Sequence, residues 1–348
     1  MPMAELPPPS LQLRLDDEAL AANWRALDAM SGTANAGAAV KADAYGLGAD
    51  RVVPILRDAG ARDFFVAHWS ETPGIARHVD PARIAVLHGP IHADDANYAR
   101  AVGVRPVINS IEQARRWTEA GGGQCHLMVD TGINRLGLPL SDVADPAIGA
   151  LDVDLLMSHL ASADEDSPLN ARQLGRFREV VAQLPARRRS LANSAGIALG
   201  ADYAFDLTRP GLSLYGGVPR GELAGKIRQV AFPQTALIQI RHLSPGDSVG
   251  YNATFTAREP IRAGVVSLGY ADGFLRCRGQ GGALGYQGAH LPLLGRISMD
   301  MAVVDLAHAP DVREGDWLEV PFDLPAIAEA SGLSQYELLT TLGRRFRR

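Results

Sequence analysis

A chain of 348 residues is long enough for about two domains, and 47% hydrophobic with 21% charged residues is globular usage that excludes a mainly disordered chain. The net charge of −5 and the absence of any run of five like charges exclude a general nucleic-acid binder. Two cysteines, Cys125 and Cys277, cannot build a disulfide framework, no basic-then-apolar leader precedes Asp17, and no apolar run approaches the roughly 18 residues of a membrane span, so a cytoplasmic protein is expected.

In chain order, helix-period residues come first: Leu20, Trp24, Leu27 and Met30 share one face of Asp17–Met30. Short apolar runs then alternate with further helical segments. The runs are Gly37–Val40, Phe64–Trp69, Ile84–His88, Val104–Ile108, Cys125–Val129, Leu155–His159, Ser190–Ala192 and Phe205–Leu207. Between them, residues 50–59, 110–120 and 169–184 read as helices, the second opening on a Ser110 cap. Eight strand–helix units predict a closed parallel barrel; an open doubly wound sheet is the competing topology, and no G-x-G-x-x-G supports its dinucleotide form. From about Pro233 the helical period vanishes. Turn signals at Pro245-Gly246-Asp247, Ala271-Asp272-Gly273, Gly279–Gly282 and Glu314-Gly315-Asp316 separate strand-like runs at 237–240, 261–268, 301–304 and 317–320. Two terminal helices, 325–331 and 335–343, and a short basic tail, Arg344-Arg345-Phe346-Arg347-Arg348, close the chain. The expected division is a (β/α)8 barrel over 1–230 and a mostly-β domain over 231–348.

In such a barrel, chemistry collects where strands end. The residues just past the apolar runs are Lys41, Asp130 with Arg135, His159, Asn193-Ser194-Ala195-Gly196 and Arg209-Pro210-Gly211. Taken singly, each has a plain structural reading: a solvated lysine, a core histidine, salt-bridged arginines, a turn. Together, on one rim, they have a chemical logic. A desolvated lysine loses proton affinity and can hold an aldehyde. Ser194 with the glycine turns can supply phosphate donors, and Arg209 can face a ring nitrogen. These are the parts of a pyridoxal phosphate pocket. No H-E-x-x-H, C-x-x-C, G-x-S-x-G or Walker sequence competes, and no metal is expected.

Val40-Lys41-Ala42-Asp43-Ala44-Tyr45-Gly46 resembles the pyridoxal-lysine signature of alanine racemases. The resemblance continues through Val129–Gly137, Ser158–Asp164, Asn193–Gly196, Arg209–Gly211, Val249–Tyr251, Gly269–Phe274 and Gly295–Asp300. It implies a barrel, a C-terminal β domain, and a homodimer whose sites combine one subunit's barrel with the other's β domain. Lys41 would then bear pyridoxal 5'-phosphate and act as base on one face of the substrate carbon. Tyr45, Ser194, Gly211 and Leu212 would contact the phosphate. Arg209 would face the pyridine nitrogen as a donor that stays protonated, weakening the ring as an electron sink. His159 would lie beside the ring. Arg135 would meet the substrate carboxylate. From the second subunit, Tyr251 would be the opposite acid/base and the Met299 N–H would touch the carboxylate. Asp164, Tyr270, Arg276 and Arg296 would line the access corridor.

The expected activity is interconversion of L- and D-alanine, supplying D-alanine for cell-wall peptide. Serine racemisation on the same scaffold is the alternative. A non-catalytic pyridoxal phosphate carrier is the alternative of a different class, and its relatives lack a β domain with Gly250-Tyr251. A decarboxylase of related architecture would be expected to carry cysteine and acidic β-domain motifs that are not seen here. The sequence also departs from the family pattern. Met128 stands where many members have a lysine that orients the arginine at 135. Leu47 replaces a histidine, Asn252 replaces the glycine after the catalytic tyrosine, and Ser298 replaces cysteine. The tail offers no tyrosine.

Overall fold

The computed structural model describes residues 7–279, 281–343 and 345–346, so Gln280 of the expected turn and Arg344, Arg347 and Arg348 of the basic tail lie outside the described residues. The chain forms two compact units, one of Asp17–Arg228 and one of Gln229–Arg348 together with the residues before Asp17.

In the first unit, seven strands pair in parallel, from Ala38–Ala39 through Phe64–Val66, Ile84–Val86, Arg105–Ile108, Gln124–Met128 and Asp152–Met157 to Arg188–Ser190. Asn35–Ala36, separated from Ala38–Ala39 only by Gly37, pairs in parallel with Leu207–Thr208. The Gly37 N–H donates to the Thr208 carbonyl at 2.9 Å, so residues 35–39 act as one strand with a neighbour on each side. On the far edge, Asp206 N–H donates to Arg189 O and Arg209 N–H to Ala192 O. The ring is therefore closed on eight strands, the barrel rather than the open sheet. Gly37 is required there, because a Cβ would stand 2.9 Å from the Asp63 carbonyl oxygen.

The longest helices follow their apolar faces. Asp17–Met30 buries Leu20, Trp24 and Leu27, and Pro168–Gln183 buries Leu174, Phe177 and Val180. Ser110 caps Ile111–Glu119 by accepting from the Gln113 N–H. The helix Ala93–Val102 escaped the sequence reading because it is polar and buries only Ala96 and Ala99.

The second unit is a seven-stranded sheet with antiparallel pairing, ordered Ala289–Pro292, Ala283–Tyr286, Trp317–Glu319, Ala231–Leu243, Ile261–Val266 and Ala302–Asp305. The seventh strand corrects the expected domain boundary. Leu11–Leu15 pairs antiparallel with Ala231–Leu243, Leu13 opposite Pro233, and so belongs to this sheet and not to the barrel. Leu11, Leu13 and Leu15 are buried while Gln12 and Arg14 alternate outward, a period of two that needs a sheet face to cover it. The register of Ala231–Leu243 against Ile261–Val266 shifts between Leu237 and Gln239. That irregularity lets one long strand serve different neighbours along its length. The hairpin Ala283–Tyr286/Ala289–Pro292, which follows the expected turn at Gly279–Gly282, was not expected.

Candidate active site

The C-terminal ends of the barrel strands carry most of the residues singled out from the sequence. Lys41 follows the first strand and opens a turn in which Ala42, Asp43, Ala44 and Tyr45 all have φ near +54°. Four consecutive non-glycine residues in the left-handed region cost roughly 1–2 kcal/mol each. The turn is held by its surroundings. Ala44 N–H donates to Val40 O at 2.9 Å, Gly46 N–H to Ala42 O at 2.8 Å, and Ala49 N–H to Asp43 Oδ1 at 2.7 Å. From the strand Phe64–Val66 and the residues after it, the Glu71 carboxylate accepts from the N–H of Ala42, and also from those of Ala67 (2.8 Å) and His68 (2.9 Å). The turn buries Tyr45 against Tyr215, ring centroids 4.9 Å apart.

Arg135 sits on a loop folded around Asp130, whose carboxylate accepts from Gly132 N–H at 2.7 Å, Ile133 N–H at 3.0 Å and Arg135 N–H at 3.1 Å. Asn134 takes φ +53° there. Met128 is buried beneath this loop, and the Asp130 carboxylate holds the Arg135 backbone. Gln173 ties that loop to the next one, donating to the Thr131 hydroxyl and to His159 O while accepting from Ala161 N–H. Arg209 is buried and donates to Ser158 O and Ser190 Oγ. Asp164 lies exposed on the loop that follows His159.

Beside the Lys41 turn, against Tyr45, is a cradle. Ser194 Oγ accepts from Gly211 N–H at 3.0 Å and Ser213 N–H at 3.2 Å. A Cβ at 211 would fall 2.3 Å from the Tyr45 hydroxyl, so only glycine lets these groups converge. The Ser213 hydroxyl is buried and has no hydrogen-bond partner. Hydroxyls of Tyr45, Ser194 and Ser213 beside backbone N–H donors suit a phosphate ester, and the residues present fit the phosphate of the group implied by the Lys41 motif. Ser213 was not found from the sequence; nothing in its pattern distinguished it from a core serine. Leu212 is buried and follows Gly211 directly.

The electrostatics suit an amine that must be neutral to react. Burial, then Arg135 and Arg209, pushes the Lys41 pKa down, while Glu71 pulls it up. Burial, followed by Arg209, Arg135 and Lys41, holds His159 down to about 3, so its imidazole is neutral near pH 7. Burial lowers Arg209 to about 10, which leaves it charged. Lys41, Arg135, His159 and Arg209 thus share one electrostatic neighbourhood.

The remaining candidates lie in the second unit and come together there. Tyr251 opens a turn in which Asn252 has φ +63° and Ala253 +46°. Asparagine tolerates that conformation, which accounts for its standing in a glycine position. Gly295 would put a Cβ 2.7 Å from Val249 O, which brings Arg296 beside the Tyr251 turn. Tyr270 N–H donates to Ser298 O and Ala271 N–H to Met299 O, both 3.0 Å. Arg276 stacks over the Tyr270 ring at 5.2 Å and donates to Ile297 O. Tyr251 and Met299 are 66% and 53% exposed, unusual for large apolar groups. Among the described residues no group of three potential ligands forms a metal site, and no helix is long and apolar enough to cross a membrane.

A closed parallel barrel whose mouth gathers one amine, one neutral imidazole, two guanidinium groups and a cradle of hydroxyl and backbone groups is the architecture of a lysine-centred barrel enzyme. The family model "Alanine racemase, N-terminal domain" matches residues 15–219, and "Alanine racemase, C-terminal domain" matches 230–348. The chain belongs to the alanine racemase family. It is 42% identical to the biosynthetic alanine racemase of Agrobacterium fabrum over 97% of this chain and 93% of the relative. It is 40% identical to the alanine racemase of Acidiphilium cryptum over 97% of both. Its fold is similar to the crystal structure of alanine racemase from Bartonella henselae with covalently bound pyridoxal phosphate, at a TM-score of 0.89, 34% identity, 98% of this chain and 99% of that one. It is also similar to the biosynthetic alanine racemase of Pseudomonas aeruginosa, at a TM-score of 0.86, 33% identity and the same coverage.

Proposed function

We propose that this protein interconverts L-alanine and D-alanine with pyridoxal phosphate held on Lys41, in a cytoplasmic homodimer that shares its sites, and so supplies D-alanine. The observation that carries the reading is the convergence of the Lys41 amine with Arg135, His159 and Arg209 beside the Ser194–Gly211–Tyr45 cradle. Pyridoxal phosphate, when bound, withdraws electrons from the α-carbon of an amino acid and acidifies its hydrogen.

The chain's own residues do the rest. Ser194, Tyr45, Gly211 and Leu212 would hold the phosphate. Arg209, still protonated, would donate to the pyridine nitrogen and so disfavour its protonation. His159, held neutral, would lie beside the ring. Arg135 and the Met299 N–H of a second copy fix the substrate carboxylate, and Asp164, Tyr270, Arg276 and Arg296 line the way in. Racemisation needs proton exchange on both faces of one carbon, which two acid/base groups provide. The Lys41 amine, made easier to keep neutral by burial and Arg135, serves one face. The Tyr251 phenol of the second copy serves the other.

The test is to incubate the purified, pyridoxal phosphate-loaded protein with L-alanine in D2O, with L-serine in parallel. A yellow protein that yields α-deuterated D-alanine, faster than D-serine, is expected. A colourless protein, or one that leaves the α-hydrogen in place, would refute the proposal.

A further inference from the structure

The Glu71 carboxylate was invisible to the motif reading. It spans two segments: one oxygen accepts from Ala42 N–H, the first peptide of the left-handed turn, and the other accepts from Ala67 and His68 N–H at 2.8 and 2.9 Å. The turn it holds begins one residue after Lys41 and is conformationally expensive. We propose that Glu71 is a positioning residue for Lys41: it pins the strained turn to the end of the neighbouring strand and sets a negative charge against the amine. The inference rests on the reading that Lys41 is the residue that reacts.

The charges around the amine make the second role specific. Arg135, from the loop after Gln124–Met128, and Arg209, after Leu207–Thr208, both act to strip its proton. Glu71 is the carboxylate acting the other way among the described residues, and it is half-buried. His159, close enough to feel Lys41, is neutral. His88 feels Lys41, Glu71 and His68, and lies edge-to-face with His68 at 4.3 Å; burial lowers its pKa, so it too adds little charge near pH 7. Two guanidinium groups are thus opposed by one carboxylate. Removing that carboxylate's charge leaves the amine more easily deprotonated, while shortening it leaves the charge in place but slackens the clamp.

The chain has two lysines, Lys41 and Lys226, and Lys226 is exposed, which supplies an internal standard. The full-length apoprotein is labelled with trace acetic anhydride across pH, and the two lysines are quantified by mass spectrometry. In Glu71→Gln the Lys41 labelling midpoint should fall by about 0.5 to 1 in pH relative to Lys226, as expected for losing one nearby opposite charge. In Glu71→Asp it should stay with the parent, while pyridoxal phosphate uptake, followed by visible absorbance, slows in both variants. A Gln curve that coincides with the parent, or Gln and Asp curves displaced alike, overturns the proposal; the Asp variant keeps it testable should Gln fail to fold. If the parent itself takes up no pyridoxal phosphate on Lys41, the proposed function fails, yet the labelling curves still decide the role of Glu71.

Discussion

A methyl group at position 211 would collide with the Tyr45 hydroxyl at 2.3 Å, and neither partner can give way. Tyr45 is buried and packed on Tyr215, whose own hydroxyl donates to Ala39 O at 2.8 Å in the first strand. The Gly211 N–H donates to Ser194 Oγ at 3.0 Å, so the two segments of the cradle move together. Gly211→Ala should therefore displace the cradle rather than merely crowd it. Overpacking of this kind costs about 1–3 kcal/mol. Charged to ligand binding, that is roughly a five- to 150-fold loss of pyridoxal phosphate affinity, read by titrating the apoprotein and following visible absorbance. An unchanged dissociation constant with a folded variant would show that the cradle is not the phosphate site. Arg209 illustrates the opposite case at the same scale. Two of its five N–H donors go to Ser158 O and Ser190 Oγ, which fixes its orientation before any ligand arrives and leaves the others for one.

The barrel strands carry a second polar set near their N-terminal ends, away from the mouth. Arg188 reaches Asp154 at 2.7 Å and Asp63 at 2.9 Å, and His126 lies 3.8 Å from Asp154 with no hydrogen bond to its Nδ1. Burial, opposed by Asp154, holds His126 down to about 4. Its folded pKa therefore lies below the unfolded value near 6.5. Between those two values the unfolded chain binds a proton that the folded chain refuses, so stability is complete above about 6.5 and falls as pH drops toward 4. Urea denaturation of the parent should show this loss, with at most about 3 kcal/mol from His126. In His126→Gln the loss over the same window should shrink. His159 titrates there as well, so the informative quantity is the difference between variant and parent; parallel curves would remove His126 from the account. Position in the strand separates the two sets: these polar groups near strand starts pair with one another, and the groups proposed for chemistry follow strand ends.

Across the molecule, what was legible followed from where a side chain must go. All eight apolar runs overlap barrel strands, because a parallel barrel buries both faces of each strand and writes itself as short apolar blocks. Helix Asp17–Met30 matched residue for residue because its apolar face repeats at helical spacing. Leu11–Leu15 was hidden because its partner is more than 200 residues away, and local pattern carries no pairing information. The left-handed turn after Lys41 was hidden because alanine and tyrosine give no hint of positive φ; Glu71, which pays for it, is one acidic residue among 39. Tyr251 and Met299 were legible as motif residues, and their exposure is what the proposed pairing with a second copy requires. That yields a test independent of any catalytic detail. Lys41→Ala and Tyr251→Ala chains should each be inactive alone. If a site takes its lysine from one copy and its phenol from another, co-refolding the two variants regenerates one intact site in each mixed dimer. Random pairing makes half the dimers mixed, so activity should return to about a quarter of the parent's. If both groups came from the same chain, no mixed dimer would contain a complete site, and the mixture would stay as inactive as its parts.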